Sequence, residues 1–297
     1  MGTPTSNATY GGAGQVVTGL SIGTPNGYSN YHGGYVSFKT SNFHGLTFQE
    51  NLTISKALGL NAYNQSTSSI SAVDSFNLRE QYGRQSFDQR AIFNTFIVYQ
   101  IPYYSGQNGI IGRLAGGWTL APVLTAGTGQ PLQCVTNNSG QNFGGEDGAT
   151  FTDTNENCVF TSPPSVGRPQ TYRNIAGGTD PNGIAVGTTT KGNVNFFSNP
   201  VAVYGNVRPL ILGLDSRSGG AGRISGLGYL NLDMSVKKRL VVYEKVSMEF
   251  TGVFSNVMNH LDFAQPSFSL QSTSNWGTTK TQGNAPRQIQ MGVRASF

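Results

Sequence analysis

Charge is scarce in this chain. Of 297 residues, only 11% are Asp, Glu, Lys or Arg, against about 25% in an ordinary soluble domain. Long apolar runs are missing as well. With a hydrophobic fraction of 37%, no stretch approaches the ~18–20 consecutive apolar residues of a membrane-spanning helix, which excludes a helical membrane protein. Membrane-crossing strands remain possible, because their outward and inward side chains alternate and never make a long run. The three histidines, His32, His44 and His260, have no metal-ligand spacing to one another or to cysteine. No Gly-x-Ser-x-Gly nucleophile elbow occurs, and the glycine clusters at 11–19 and 219–226 lack the spacing of a phosphate cradle. The expectation is a protein that is not an enzyme and holds no cofactor and no metal. Residues 1–30 lack the basic start and apolar core of a secretory signal. Either the chain is not exported or its true N-terminus is absent.

Uncharged polarity fills the gap: 40 glycines, 13 tyrosines and 17 phenylalanines stand among abundant Asn, Ser, Thr and Gln. An aromatic content of 11% is too high for ordinary disorder, which follows from having few large apolar groups to bury. The net charge is +5, but the densest basic cluster is Lys237, Lys238 and Arg239. Nucleic-acid binders gather basic residues into a patch or stripe, so no nucleic-acid partner is expected.

Apolar residues recur at period two, and Gly, Asn, Ser and Pro interrupt nearly every window, which reads as all-β. At the C-terminus Ile289, Met291, Val293, Ala295 and Phe297 share one face of an extended strand. Gln288, Gln290, Gly292, Arg294 and Ser296 share the other. Upstream, Leu232, Met234 and Val236 oppose Asn231, Asp233, Ser235 and Lys237, and after a turn near Leu240 to Glu244, Val246, Met248 and Phe250 oppose Ser247, Glu249 and Thr251. Leu46, Phe48, Leu52 and Ile54 make a similar face, broken by Glu50, and Val36 and Phe38 make another. Further strands are expected at 91–101 and 118–128, the latter holding Pro122, a residue better suited to an edge or bulge. In a soluble sandwich the apolar faces would meet a second sheet; in a barrel they meet lipid and the polar faces line a wet lumen.

Connection lengths alternate. Short links fall at 41–45, 105–117 and 240–244, and long ones at 58–90, 130–226 and 260–287. Bacterial barrels have short periplasmic turns and long extracellular loops, which assigns the two sides. Phe43, Tyr103, Tyr104, Trp118, Tyr243 and Phe297 then cluster at the periplasmic ends, where an aromatic girdle belongs. The expected fold is an antiparallel transmembrane β-barrel portion of about seven C-terminal strands at 31–297. A Gly-rich extracellular segment at 1–30, with Val16, Thr18, Leu20 and Ile22 at period two, precedes it.

The words YHGGYVSFKTSNFHGLTFQENLTISKAL (31–58), DSFNLREQYGRQSFDQRAIFNTFIVYQIPY (74–103), GWTLAPVLTAGTGQPL (117–132), NFFSNPVAVYGNV (195–207), YLNLDMSVKKRL (229–240), FSNVMNH (254–260) and GNAPRQIQMGVRASF (283–297) together resemble one family. It is the TonB-dependent receptor-like outer-membrane proteins that carry an N-terminal carboxypeptidase-regulatory-like domain, the Oar-like proteins. The resemblance implies the C-terminal part of a larger barrel in the outer membrane, used in energy-dependent uptake of a large ligand. It implies as partners the outer-membrane lipid, an N-terminal barrel part and plug absent from this chain, and TonB through that absent region. The barrel-assembly machinery would bind the last strand, with Phe297 as its signal. Surface adhesion or glycan binding without transport is the alternative.

Candidate lumen-facing residues are Asn231, Asp233, Lys237, Glu249, Gln288, Gln290 and Arg294. Tyr172, Arg173, Phe196, Phe197, Tyr204 and Arg208 in the longest loop are read either as groups for ligand capture or as loop packing. Cys134 and Cys158 in the same loop are a disulfide candidate, with two independent thiols as the other reading.

Overall fold

A computed structural model describes residues 27–60, 77–132, 134, 158–162, 170–173, 175, 178–188, 193–211, 214–219, 222–243, 246–266 and 268–297. Seven long strands form one antiparallel meander: β1 (Ser29–Phe43), β2 (Leu46–Gly59), β3 (Ala91–Gln100), β4 (Trp118–Gly127), β5 (Tyr229–Tyr243), β6 (Val246–Ser255) and β7 (Gln288–Ser296). The pair Gly83–Arg84 adds a short stub to β2. Among the described residues the sheet is open, with β1 and β7 at its two edges. No helix among the described residues is long and apolar enough to cross a membrane.

Alternation in the sequence becomes two faces because residues paired across an antiparallel ladder point the same way. Val36, Phe38, Phe48, Leu52 and Ile54 fall on one face with Phe93 and Ile97. That face continues through Leu120 and Leu124 to Leu232, Val236, Phe250, Phe254, Ile289 and Val293. Asn51, Asn94, Thr125 and Asn231 fall on the other. At the β1–β2 hairpin, His44 and Gly45 have φ of 51° and 84°, the two positive values of a type I′ turn, whose twist matches the flanking strands. A Cβ on Gly45 would stand 2.2 Å from the Gln100 carbonyl oxygen, so the turn also needs glycine for its approach to β3.

β1 begins at Ser29, so the boundary expected after residue 30 falls inside a strand; Val16, Thr18, Leu20 and Ile22 lie outside the described residues. The turn expected at 240–244 starts later, because β5 stays extended to Tyr243, opposite Val246. The link at 105–117 holds a short helix, α1 (Gly109–Ala115). Pro122 sits in a central strand rather than at an edge. Its ladder to β5 is continuous through Met234, while the pairing to β3 skips from Val123 to Leu120, so the missing N–H falls on the interrupted side.

The densest core is not in the sheet. Leu132, Cys134, Cys158, Val186, Phe196, Phe197, Ile224, Phe268 and Trp276 form one buried cluster, drawn from the two long connections 130–226 and 260–287. Paired Val194–Asn195 and Thr278–Thr279 strands join these connections. They make a packed layer over one end of the sheet.

Candidate functional site

On the polar face, rows of side chains run across the sheet. One row passes from Ser37 through Asn51, Asn94 and Thr125 to Asn231, and Ser37 Oγ donates to Asn51 Oδ1 at 2.8 Å. Another places Glu249 between Arg239 and Arg294, with Lys237 Nζ 3.7 Å from the Glu249 carboxylate. All seven residues read from the sequence as lumen-facing lie on this one face, with Gln290 opposite Val253 and Gln288 opposite Ser255. Arg239 belongs with them. Its two-residue spacing from Lys237 is the signal that places it on this face. The face is not uniformly polar: Phe96, Val98 and Val253 share it and are exposed.

The outer end of this face opens into a cavity of about 680 Å³ lined by Gln89, Tyr229, Asn231, Asp233, Asn256 and Gln265 among others. Asn256, buried and with φ of 48°, organises its wall. Its backbone N–H donates to Asp233 Oδ1 at 2.8 Å. Its side-chain amide donates to the carbonyls of His260 and Ala285 at 2.9 and 3.0 Å, and its Oδ1 accepts from the His260 N–H at 2.8 Å. Asn284 completes the lock, donating to His260 O at 2.7 Å and accepting from the Asp262 N–H at 3.1 Å. The words FSNVMNH and Asn-x-Pro-Arg are therefore staples that hold one loop's two ends together. Nothing in a single-strand pattern shows that they meet.

The loop layer takes up four of the six residues read there as capture or packing groups, and leaves Arg173 exposed. Phe196 and Phe197 are 1% and 4% exposed, edge-on to each other, with Phe268 against both and Trp276 against Phe268. Tyr204 stands edge-on to Trp276 with centroids 5.3 Å apart. Arg208 is committed to Asp215, with Nη2 to Oδ1 at 2.9 Å. That hydrogen bond, more than the charge itself, holds the Asp215 carboxyl below the usual carboxylate range. Tyr172 pairs through its backbone with Asn195, whose buried amide ties Gly187 to Trp276. Phe196, Phe197 and Tyr204 pack the loops. Capture of a ligand by Phe196, Phe197, Tyr204 and Arg208 is replaced by loop packing, since their surfaces or charges are already used. Cys134 and Cys158 are joined in a disulfide, Cα to Cα 5.3 Å, beside the same cluster.

At the opposite end, the aromatics Phe43, Tyr103, Tyr104, Tyr243 and Phe297 are all at least half exposed. The first four lie at the short turns, and Phe297 follows β7 at the same end. Trp118 and Lys238 face each other on the apolar face, the ammonium 5.0 Å from the ring centroid. Trp118 Nε1 donates to the Leu114 carbonyl at 2.9 Å, and Lys238 Nζ donates to the carbonyls of Arg113, Leu114 and Gly116. Together they cap α1 at its C-terminus, where a cation offsets unpaired carbonyls. Ile110, Ile111 and Leu114 of α1 are 80%, 71% and 70% exposed, and continue the apolar face past its rim.

These features define a membrane-spanning antiparallel sheet with one apolar and one hydrogen-bonding face. Residues 2–290 match the family model for an outer membrane beta barrel domain; the chain belongs to that family, and its place is the outer membrane. No curated protein matches the chain. No solved structure matches it either. Among the described residues, no group of three His, Cys, Asp or Glu side chains is arranged to hold a metal.

Proposed function

We propose that the chain forms wall and extracellular loops of a TonB-dependent outer-membrane receptor, which takes up a large, hydrogen-bonding ligand and catalyses no reaction. One observation carries this reading: hydrogen-bonding rows cross the polar face of the sheet, and that face ends outward in a cavity lined by the first and last residues of the long loops, whose further parts pack into a disulfide-braced layer. The TonB requirement and the plug come from the resemblance of the seven sequence words. Two open sheet edges support further strands as partners, since every unpaired backbone group in lipid costs several kcal/mol. Asn231 and Asp233 at the cavity are the residues offered to ligand, and Phe297 is the one offered to the assembly machinery.

In-cell crosslinking of the protein to TonB, as its own genome encodes it, is the test. A crosslinked species that vanishes when the proton gradient is collapsed is expected. Protein folded in the outer membrane with no such species overturns transport and leaves surface adhesion.

A further inference from the structure

A second cavity, about 380 Å³, lies against the outer end of β2 and is lined by Lys56, Leu58, Tyr82, Gly83, Arg84, Arg90, Ser218, Gly222 and Arg223. Four of these side chains are cationic. The one carboxylate paired with them is Asp88, which is buried and holds Arg84 at 2.7 Å and Arg90 at 4.0 Å. Arg84 is fixed further by bonds to the Gly222 carbonyl and Ser225 Oγ, both at 3.0 Å, and so forms a rigid floor. Lys56 and Arg223 are exposed, and neither ion-pairs with a described carboxylate. The Arg90 side chain is 54% exposed. The result is an excess of positive charge around a concave, partly preorganised floor, which suits a phosphate.

Its position narrows the source of that phosphate. Lys56 and Leu58 follow Leu52 and Ile54 at period two, and Arg84 pairs with Leu58 across the stub, so the cavity lies on the apolar face. From Leu46 to Lys56 β2 runs roughly 33 Å at ~3.3 Å per residue, which at the ~35–45° tilt of barrel strands spans about 25 Å along the membrane normal, the height of the lipid-facing band. Lys56 thus stands at the outer limit of that band, on the face of Leu52 and Ile54. Tyr28 and Tyr82 stack beside it with centroids 5.5 Å apart, as girdle aromatics do at the interface. The cavity thus stands at the level of the outer-leaflet headgroups.

We propose that this cavity binds the phosphate of an anionic outer-leaflet lipid headgroup, with Lys56, Arg90 and Arg223 as its ligands and Arg84 as the floor. This rests on the placement in the outer membrane and not on transport. The full-length protein in nonionic detergent, titrated with diphosphorylated lipid A, dephosphorylated lipid A or inorganic phosphate and read by native mass spectrometry, tests it. Diphosphorylated lipid is expected to bind at least tenfold more tightly than the dephosphorylated form. The K56E/R223E double variant is expected to lose that preference, and K39E, on the other face of the same hairpin, to keep it. Equal binding of the two lipids by the unaltered protein overturns the site and needs no variant to fold. Displacement of the lipid by inorganic phosphate at equal concentration overturns the lipid assignment. A double variant that keeps the preference while heat-modifiable on gels, and so folded, removes these residues from the site.

Discussion

The sheet and the loop layer treat apolar side chains in opposite ways. In the sheet Met291, Val36, Val293 and Phe38 are 79%, 70%, 63% and 58% exposed; in the loops Trp276, Phe196 and Phe197 are 0%, 1% and 4% exposed. Both regions come from a chain with the same shortage of charge. The loop layer stands in water and must bury its apolar groups on themselves. The sheet leaves them outward because its apolar face meets hydrocarbon, where exposure carries no penalty. A low charge content thus has two separate origins: lipid contact in the strands, and Gly, Asn, Ser and Thr in the loops.

The largest effect that separates the regions is expected from Trp276→Ala. It should destabilise the loop layer by about 3–5 kcal/mol, the usual loss for a fully buried large aromatic, and leave the spanning strands folded. Rapid proteolysis of the loops with unchanged heat-modifiability of the sheet checks this; co-operative loss of both would merge the two regions. Next, Met291→Arg should destabilise the protein in bilayers by about 2–4 kcal/mol, as for a cation near the lipid midplane, while Gln290→Arg one residue away should be close to neutral. Denaturant titration in liposomes compares them, and equal effects would break the two-face assignment.

A smaller gain is expected at Glu50. It remains mid-strand on the apolar face, between Phe38 and Thr95, away from both ends of β2. Glu50→Leu should stabilise the protein in bilayers by about 1 kcal/mol, less than the arginine penalty because acidic residues are less costly there. No gain would mean that a neighbouring group compensates the carboxylate. The smallest effect concerns pH. Arg208 lowers the Asp215 pKa in the folded loops from its ordinary 3.8, so the stability from this pair is fully present above that value and is lost as pH falls through the lower folded one. Amide exchange at Ile211 and Asp215, whose N–H groups are held in this turn, should quicken only below about pH 3.8, and Asp215→Asn should remove the pH dependence.

Legibility followed the same division. The seven strands and their faces could be read because period two is a local property: Ile289 to Phe297 display it without any neighbour. The short turns were legible as a class, but α1 was not, being a seven-residue helix whose three large apolar residues have no partner in the sheet to complete a stripe. The aromatic core was invisible for a different reason. Asn195 and Trp276 are 81 residues apart, and the segments around them are rich in Gly, Asn and Ser, with no periodicity to tie one to the other. Phe196, Phe197 and Arg208 therefore offered capture and packing equally until their contacts were known. The cavity wall shared this difficulty, since Asn256 meets Ala285 across 29 residues.

Accessibility measured residue by residue tests the two-faced sheet most directly. Single spin labels placed at 288–296 in the bilayer-reconstituted protein should report collisions with oxygen and with a water-soluble nickel chelate that alternate at period two. Oxygen should peak at Ile289, Met291, Val293 and Ala295, and nickel at Gln288, Gln290 and Arg294. A profile in which both sets contact water alike, or in which nickel reaches Met291 and Val293, would contradict a lipid-facing sheet and make these strands part of a soluble β protein.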